Sequence, residues 1–407
     1  MVLFVHAADL HLDSPYKGIK DLSSRLGQKI KESTFQSLTA IVDLAVDQQV
    51  DFVLFSGDIY DLEDRSIKAQ IVFKEEMQRL NDQGIPVCLI HGNHDFLGNE
   101  ADHLTLPSNV TVFPSEVETI YIQTKKGERV AVSGFSYDRK WIDRRMIRDY
   151  PSRKAQIDYH IGLLHGYEEG QKSEHGRYAP FSLAELAEKN YDYWALGHIH
   201  NRQQLSAEPL VYYSGNTQGR HRKETGDKGC LLVNLSRSGH SVDFKATAPI
   251  IWKELNVDVS TLETLDSIYE KIRQAVIESS DGQTLLYLKV IVSSQLSDKI
   301  MTKLNQDDFI ETLHHDSDKT FAFVTGLKIQ ISNVTANQVS LEQLFPEEWK
   351  RSVEYYSENE AFNEVTKELL DTHPFSVELS EQTEEYRREI LESALTLLQY
   401  DLGMNEG

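Results

Sequence analysis

The chain has 407 residues, of which 40% are hydrophobic, so we predict two or three globular domains with a substantial core. It begins with the apolar residues Val2-Leu3-Phe4-Val5, without the basic start and cleavage site of a signal peptide. No apolar stretch is long enough to span a bilayer, and we therefore expect a cytoplasmic protein. Cys88 and Cys230 lie inside apolar runs, which favours buried free thiols over a disulfide or a metal site.

The net charge of −22 is unusual for a protein that contacts nucleic acid, because lysine and arginine normally provide the phosphate contacts. The charge is unevenly distributed. Residues 341–407 contain 17 acidic and five basic side chains, whereas residues 139–154 contain seven basic and two acidic ones. The basic stretch fits a solvated helix face, and it equally fits a surface that follows a nucleic-acid backbone.

The first hundred residues alternate strand and helix patterns. Short apolar runs predict strands at residues 3–6, 51–55 and 86–90. Between them, apolar residues recur at spacings of three and four in residues 28–47 and 66–81, which predicts two amphipathic helices. This order indicates an α/β fold that begins β-α-β-α-β.

The middle of the chain, after Val110, contains mainly short strand patterns. They lie at residues 119–123, 129–135, 160–164, 193–196, 210–213, 229–235 and 242–245. Ser182 and Glu185 form a capping-box pattern that predicts a helix beginning there.

A second unit is predicted to begin near Pro249. It has strand patterns at residues 250–257, 284–292 and 327–331, and a helix at 260–275 opened by Ser260. The residues after Ser340 are acidic and helical in pattern, with an apolar stripe near the end formed by Tyr386, Ile390, Ala394, Leu397 and Leu398. We therefore predict domains at 1–249, 250–339 and 340–407.

Five clusters of metal-ligand residue types each follow a predicted strand, where the sites of open α/β sheets usually lie. The clusters are Asp9 with His11; Asp58; Asn93, His94 and Asp95; His165; and His198 with His200. Any one of these histidines could be an ordinary core or surface residue, but five ordered clusters favour a metal site. Mixed nitrogen and oxygen donors suit Mn²⁺, Fe²⁺ or Zn²⁺.

The motifs D-x-H, G-D-x-x-D, G-N-H-D, H-G and G-H-x-H together resemble the calcineurin-like metallophosphoesterase superfamily. The resemblance implies a β-sandwich flanked by helices, with a small α/β capping domain and a helical C-terminal segment. The motif order, the stretch at residues 214–221 and the later module resemble SbcD-type DNA repair exonucleases, and among them the YhaO-like branch.

That resemblance implies two divalent metal ions, with manganese expected. Asp9, His11, Asp58 and His200 would hold the first, and Asp58, Asn93, His165 and His198 the second, so that Asp58 bridges them. His94 would be the catalytic residue that faces the phosphate, with Asp95 orienting its ring. Archaeal and eukaryotic relatives have a second catalytic histidine at the position of Asp61, whose role stays open.

The function implied is a Mn²⁺-dependent 3′-to-5′ DNA exonuclease in DNA repair. Its partner would be an SMC-like, SbcC-like ATPase, whose coiled coil would bind the acidic C-terminal segment; a homodimer stays open. Arg220, His221 and Arg222 are predicted to contact DNA, although an ordinary charged turn explains them equally well. Two alternatives remain: a phosphoesterase of a small nucleotide or phosphoprotein, and a non-catalytic assembly subunit.

Overall fold

The computed structural model describes residues 1–14, 25–61, 65–98, 103–169, 178–280, 282–316, 320–332 and 345–357, with residues 361, 362, 364, 365, 391 and 394. Its strands are β1 Val2–Ala7, β2 Phe52–Ser56, β3 Val87–Ile90, β4 Val110–Val112, β5 Glu118–Gln123, β6 Arg129–Gly134, β7 Tyr159–His165, β8 Tyr193–Gly197, β9 Gln203–Ala207, β10 Leu210–Tyr213, β11 Gly229–Ser236, β12 Gly239–Ala246, β13 Ile251–Asp258, β14 Gln283–Ser293, β15 His315–Asp316 and β16 Phe321–Ser332. The helices are α1 Arg25–Asp47, α2 Ile67–Asp82, α3 Leu183–Glu188, α4 Leu265–Glu278, α5 Asp298–Leu304, α6 Asp307–Thr312 and α7 Pro346–Ser357.

The strands form three sheets. The first has six strands in the order β12-β11-β1-β2-β3-β4, in which β1 to β4 are parallel and β11 and β12 are antiparallel to their neighbours. The second has the order β5-β6-β7-β8-β10-β9, with β6, β7, β8 and β10 parallel. The third has the order β13-β14-β16-β15.

The first two sheets pack face to face through large apolar side chains. Phe4 of β1 stacks on Phe52 of β2, with ring centroids 5.0 Å apart, and meets the edge of Tyr193 from the second sheet at 5.3 Å. Side chains alternate between the two sides of each sheet, and those that point inward are covered by the facing sheet. Phe4, Phe52 and Tyr193 are therefore fully buried. The result is the β-sandwich that the motif resemblance implied.

Helices α1 and α2 cover the outer face of the first sheet. The apolar stripe of α1, with Leu38, Ile41 and Val42, packs against Phe55 and other side chains of β1 and β2. On the outer face of the second sheet, aromatic residues such as Trp194 pack beneath α3. The central strands of these two sheets are therefore buried on both sides, which explains their continuous apolar runs.

Contacts divide the chain into two units. One contains residues 1–257, 269–290 and 302–328, and the other contains residues 258–268, 291–301 and 329–407. Within the first unit, Ile250 and Trp252 join Leu285 and Phe321 in a small apolar cluster of their own with Ile30 of α1. No helix in the described part of the chain is long and apolar enough to cross a membrane.

Most predicted elements are present, with shifts at their ends. The capping box at Ser182 and Glu185 is confirmed. The helix assigned to 260–275 begins later, at Leu265, because Ser260 bonds back to Asp258 in a turn and therefore does not cap it. Strands β4 and β9 were missed, and of the predicted C-terminal stripe only Ala394 lies among the described residues. Cys88 and Cys230 are free and buried, as predicted.

Candidate metal centre

The five motif clusters meet at the carboxyl ends of parallel strands. Loops after β1, β2 and β3 carry Asp9, Asp58 and Asn93, and the ends of β7 and β8 carry the histidines. Because the two sheets are stacked and their strands end at the same edge, loops more than 100 residues apart in sequence come into contact there. The sheet topology therefore assembles the ligand set that the sequence predicted.

Several of these residues have an unusual backbone conformation. Asp9, His11, Asp58 and His198 all have positive φ, at 52°, 44°, 50° and 103°. Side chains with a Cβ rarely adopt this region, and doing so costs about 1–3 kcal/mol per residue. The cost is offset by backbone bonds between the loops, such as His11 N to the Asp58 carbonyl at 3.0 Å. The loops are held in the shape that turns these side chains toward each other.

The first group of donors consists of Asp9, His11 and His200, whose ligand atoms lie within 4.8 Å of one another. The Nε2 atoms of His11 and His200 are 3.2 Å apart. On the opposite side of the rings, His200 Nδ1 donates to Glu224 Oε1 at 2.5 Å, whereas His11 Nδ1 lies 3.1 Å from Asp61 Oδ1 without the geometry of a hydrogen bond. The two Nε2 atoms face each other beside the Asp9 carboxylate, which is an arrangement that a cation would satisfy.

The second group surrounds His165. Its Nδ1 donates to the Ser56 carbonyl at 3.0 Å, which directs Nε2 toward the other donors of this group. That Nε2 lies 3.0 Å from Asn93 Oδ1 and 3.4 Å from Asp58 Oδ2. His198 adds its Nδ1 at 3.1 Å from the same Asn93 oxygen. Nitrogen and oxygen donors from four residues, His165, Asn93, Asp58 and His198, therefore converge in this second group.

Asp58 lies between the two groups. Its Oδ2 is 3.4 Å from His165 Nε2 and 3.8 Å from His11 Nε2, and its side chain is almost completely buried. Burial raises the pKa of this carboxyl, but the neighbouring His165 and His11 lower it further, so that on balance it lies well below its usual range. An ionised, buried carboxylate in this position is placed to be shared by two cations.

The charge balance of the site also fits bound cations. Burial lowers the pKa of His165, but the Asp58 and Asp9 carboxylates raise it to about 9 on balance. The proton on His165 thus supplies positive charge between these carboxylates. A metal ion bound at this ring would replace that proton, since a ligating imidazole must be neutral. The donor set, with four histidines, two aspartates and one asparagine, fits divalent metals that accept mixed nitrogen and oxygen ligands.

His94 lies next to this cage on its solvent side. Its backbone N–H donates to Asp58 Oδ1 at 3.0 Å, and its ring meets that of His11 edge-on, with centroids 4.9 Å apart. Ring Nδ1 faces the Asp61 carbonyl at 3.0 Å, so the exposed Nε2 remains for a bound substrate. Its position fits the predicted contact with the phosphate.

Asp95 does not orient the ring of His94, contrary to the expectation from the sequence. It is fully buried and accepts hydrogen bonds from His91 Nδ1 at 3.0 Å, Gly92 N at 2.8 Å and Ile59 N at 2.9 Å. The turn after β3 directs the carboxylate inward, away from His94. Asp95 therefore ties the loop of Asn93 to the loop of Asp58, and the Asp61 carbonyl takes the place beside His94.

The three residues predicted to contact DNA all have intramolecular partners. Arg220 forms an ion pair with Asp61 and is only 13% exposed, His221 lies 3.3 Å from Glu224, and the guanidinium of Arg222 lies over the Tyr287 ring. Their assignment to DNA stays a prediction. Glu224, which holds His200, was missed because a single acid after a basic run gives no sequence signal of burial.

The basic stretch at residues 139–154 is largely neutralised within the protein. Five of its seven cations form ion pairs with acids: Arg139 with Asp138, Arg144 with Asp149, Arg145 with Glu169 and Glu185, Arg148 with Glu185, and Arg153 with Asp192. Lys140 lies over the ring of Trp141, which is half exposed. This arrangement favours the solvated-surface interpretation of the stretch.

Replacing Gly92 by alanine is expected to weaken metal binding without unfolding the chain. A Cβ at this position would lie 2.2 Å from Asp58 Oδ1 and 2.8 Å from His165 Nε2, so both ligands must shift. We expect metal affinity to fall by at least about tenfold, as when groups that orient ligands are lost. Gly282→Ala is the control, because its Cβ would meet nothing within 4 Å. Unchanged metal content in Gly92→Ala after equilibrium dialysis would contradict this placement of Asp58.

Comparisons with known proteins agree with this geometry. Residues 2–202 match the family of calcineurin-like phosphoesterases. The uncharacterized metallophosphoesterase YhaO of Bacillus subtilis is 38% identical over 347 residues, which cover 84% of this chain and 84% of that protein. The DNA double-strand break repair protein Mre11 of Thermoplasma acidophilum is 23% identical and covers 69% of this chain and 76% of its own. A subunit of the nuclease SbcCD of Bacillus subtilis is 26% identical, covering 72% of this chain and 80% of its own.

Proposed function

The chain belongs to the calcineurin-like phosphoesterase family, and from this premise we propose that it is a two-metal phosphodiesterase that degrades DNA from 3′ ends with manganese. Membership confirms the superfamily that the motifs indicated and a metal-dependent phosphoesterase activity. One observation carries the proposal: the donors of Asp9, His11, Asp58, Asn93, His165, His198 and His200 converge, and His94 lies beside them with an exposed ring.

In this proposal the seven donor residues bind the metals, and His94 donates a proton or a hydrogen bond. Two divalent metals, when bound, would neutralise charge on the phosphate and make water a better nucleophile. Asp58 would provide the anion that both need, and the buried ring of His165 stays fixed through its bond to Ser56. His94 keeps Nδ1 on the Asp61 carbonyl, so its exposed Nε2 can donate a proton or hydrogen bond to the phosphate or the leaving oxygen.

DNA as the substrate is supported by relatives whose names describe a DNA double-strand break repair protein and a nuclease subunit. The test is digestion of linear duplex and single-stranded DNA labelled at either end, with Mn²⁺ and with EDTA. We expect Mn²⁺-dependent release of nucleotides from the 3′ end, and none by His94→Ala. Intact DNA after incubation with the manganese-loaded wild type would overturn the substrate assignment.

A second candidate is favoured by the pairing of the basic stretch, which leaves few free cations to follow a DNA backbone. In it the same cage hydrolyses a small nucleotide or phosphoprotein. Hydrolysis of a nucleotide diester together with intact DNA would select this candidate. The non-catalytic alternative would show neither reaction in the presence of two bound metals.

A partner is proposed for the acidic segment after residue 340. The described helix α7 begins with Glu347 and Glu348 in its first turn and exposes Tyr355 and Tyr356. One relative is by name a subunit, of the nuclease SbcCD. We infer that the segment binds a basic coiled coil of an SMC-like ATPase, since acidic helices with exposed aromatic residues suit such a surface.

Deleting residues 341–407 is expected to abolish binding of the partner while phosphodiester hydrolysis is retained. All proposed metal ligands lie between Asp9 and His200, so hydrolysis of bis-p-nitrophenyl phosphate should stay within about twofold of the full chain. Association with the SMC-like ATPase, measured by co-purification from cells that express both, should be lost. Equal recovery of the ATPase with the full and shortened chains would refute the role of this segment.

A further inference from the structure

The two halves of the metal centre are supported differently. Both imidazole ligands of the first site, His11 and His200, have a carboxylate behind the ring, at Asp61 and Glu224. In the second site, His165 is held by the backbone carbonyl of Ser56. Side-chain changes can therefore alter the support of the first site while leaving this bond of the second site intact.

Glu224 is the anchor behind His200. Only 4% of it is exposed, and its Oε1 accepts His200 Nδ1 at 2.5 Å with His221 Nε2 at 3.3 Å. Its Oε2 accepts the backbone N–H of Arg220 at 2.7 Å. Both oxygens of the Glu224 carboxyl are therefore occupied by donors, which fixes the direction in which it faces His200.

Asp61 is the anchor behind His11. Its Oδ1 lies 3.1 Å from His11 Nδ1 and also accepts from Arg220 Nη1, which donates to Ser14 Oγ at 3.0 Å as well. Arg220 thus touches both anchors, Glu224 through its backbone and Asp61 through its guanidinium. Asp61 and Arg220 are 159 residues apart in the sequence. The two anchors are therefore linked by this side-chain bond and not by a short connection of the chain.

We propose that Arg220 is a positioning residue that joins Asp61 and Glu224 into one support, and that this support sets the affinity of the metal site of His11 and His200 separately from the other site. The inference rests on the proposed two-metal function and concerns how its first site is adjusted. The guanidinium offsets the negative charge of Asp61 and holds its carboxylate beside the ring of His11. Groups that orient metal ligands in this way typically change affinity by about 10- to 100-fold.

The test replaces Arg220 by glutamine and titrates the whole chain with Mn²⁺ alone. Arg220→Gln keeps the backbone N–H to Glu224 and removes the guanidinium from Asp61. We expect one metal equivalent to bind as in wild type and the other to weaken by about tenfold or more. Unchanged affinity for both, or equal weakening of both, would overturn the inference.

Combining Arg220→Gln with a substitution of one metal ligand identifies which of the two sites has lost metal affinity. His198→Ala removes a ligand of the second site, so the equivalent that remains belongs to the first. Adding Arg220→Gln should weaken that equivalent, whereas in a His11→Ala background the same change should have no effect on the equivalent that remains. The reverse pattern would contradict the assignment of Arg220 to the first site.

Two further variants keep the result interpretable. Arg153→Gln is the matched control, because it removes another partly buried, ion-paired guanidinium, whose partners are Asp192 and the Asp158 carbonyl and not proposed ligands, and metal affinity should not change. Glu224→Gln keeps an acceptor for His200 but removes the charge, and should weaken the same equivalent if Arg220→Gln does not fold. Metal counts do not depend on DNA: a wild type with two metals that leaves DNA intact would refute the substrate and not this inference.

Discussion

Replacing Asp58 by asparagine is expected to remove both the paired metals and phosphodiester hydrolysis. Two cations about 3.5–4 Å apart need a shared anion to offset their repulsion, and the neutral amide cannot provide one. Asp58 also accepts the backbone N–H of His94 and lies beside His165 and His11, so the change reaches both sites at once. We expect the rate with bis-p-nitrophenyl phosphate to fall by at least about a thousandfold, or roughly 4 kcal/mol.

The control for this variant is Asp158→Asn. Asp158 likewise accepts a backbone N–H, from Arg129 at 2.9 Å, but it lies outside the ligand set. Metal content measured by elemental analysis should be unchanged in Asp158→Asn and should fall below one equivalent in Asp58→Asn. Two equivalents retained by Asp58→Asn would mean that the carboxylate is not shared.

Replacing His94 by alanine is expected to abolish hydrolysis while the metals remain bound, whereas Asp58→Asn should lose both. The contact between His94 and Asp58 uses the backbone N–H, which alanine keeps, so the cage should not change. The side chain lost is the one whose exposed nitrogen faces a bound substrate, and a general acid contributes about 10²- to 10⁴-fold. Hydrolysis should therefore fall by about that factor at saturating Mn²⁺.

His240→Ala serves as the control for His94→Ala because it removes an exposed histidine from β12, outside the ligand set. Both variants should bind two equivalents of Mn²⁺, and only His94→Ala should be slow. If His94→Ala loses a metal equivalent, the ring is a ligand and its separation from the cage is wrong. A normal rate in His94→Ala would remove it from the reaction.

The convergence of the candidate ligands could be predicted from the sequence because the physical rule behind it is general. Parallel strands that are buried on both faces give uninterrupted apolar runs, and their loops at the carboxyl ends meet at one edge. Asp9, Asp58 and Asn93 each follow such a run, and the structure brings them together. The same rule identified most strands, but β9 was missed because its residues are mostly polar and half exposed.

The surroundings of the ligands could not be predicted in the same way. Whether Asp95 turns toward His94 or toward His91 depends on the backbone of one tight turn, and sequence spacing does not specify it. The pairing of Arg220 with Asp61 and the burial of Glu224 depend on how a loop 159 residues away packs. Periodicity describes single elements, whereas these contacts arise only when distant loops meet.

The ion pairs of the basic stretch are a further example of contacts that the sequence does not specify. The count of charges at residues 139–154 fitted a solvated face and a nucleic-acid surface equally well, but Arg145 and Arg153 bond to Glu185 and Asp192, both of which lie outside the stretch. Such pairs reduce the field that a phosphate backbone would meet. The proposed binding of DNA should accordingly depend more on the metal centre than on this stretch.

The most direct test of a two-metal phosphodiesterase is the rate of bis-p-nitrophenyl phosphate hydrolysis as Mn²⁺ is added to metal-free protein, measured together with the number of equivalents bound. The arrangement of Asp58 between the two donor groups predicts negligible hydrolysis with one equivalent and full activity only when the second has bound. Full activity with a single equivalent, or none with two, would contradict it.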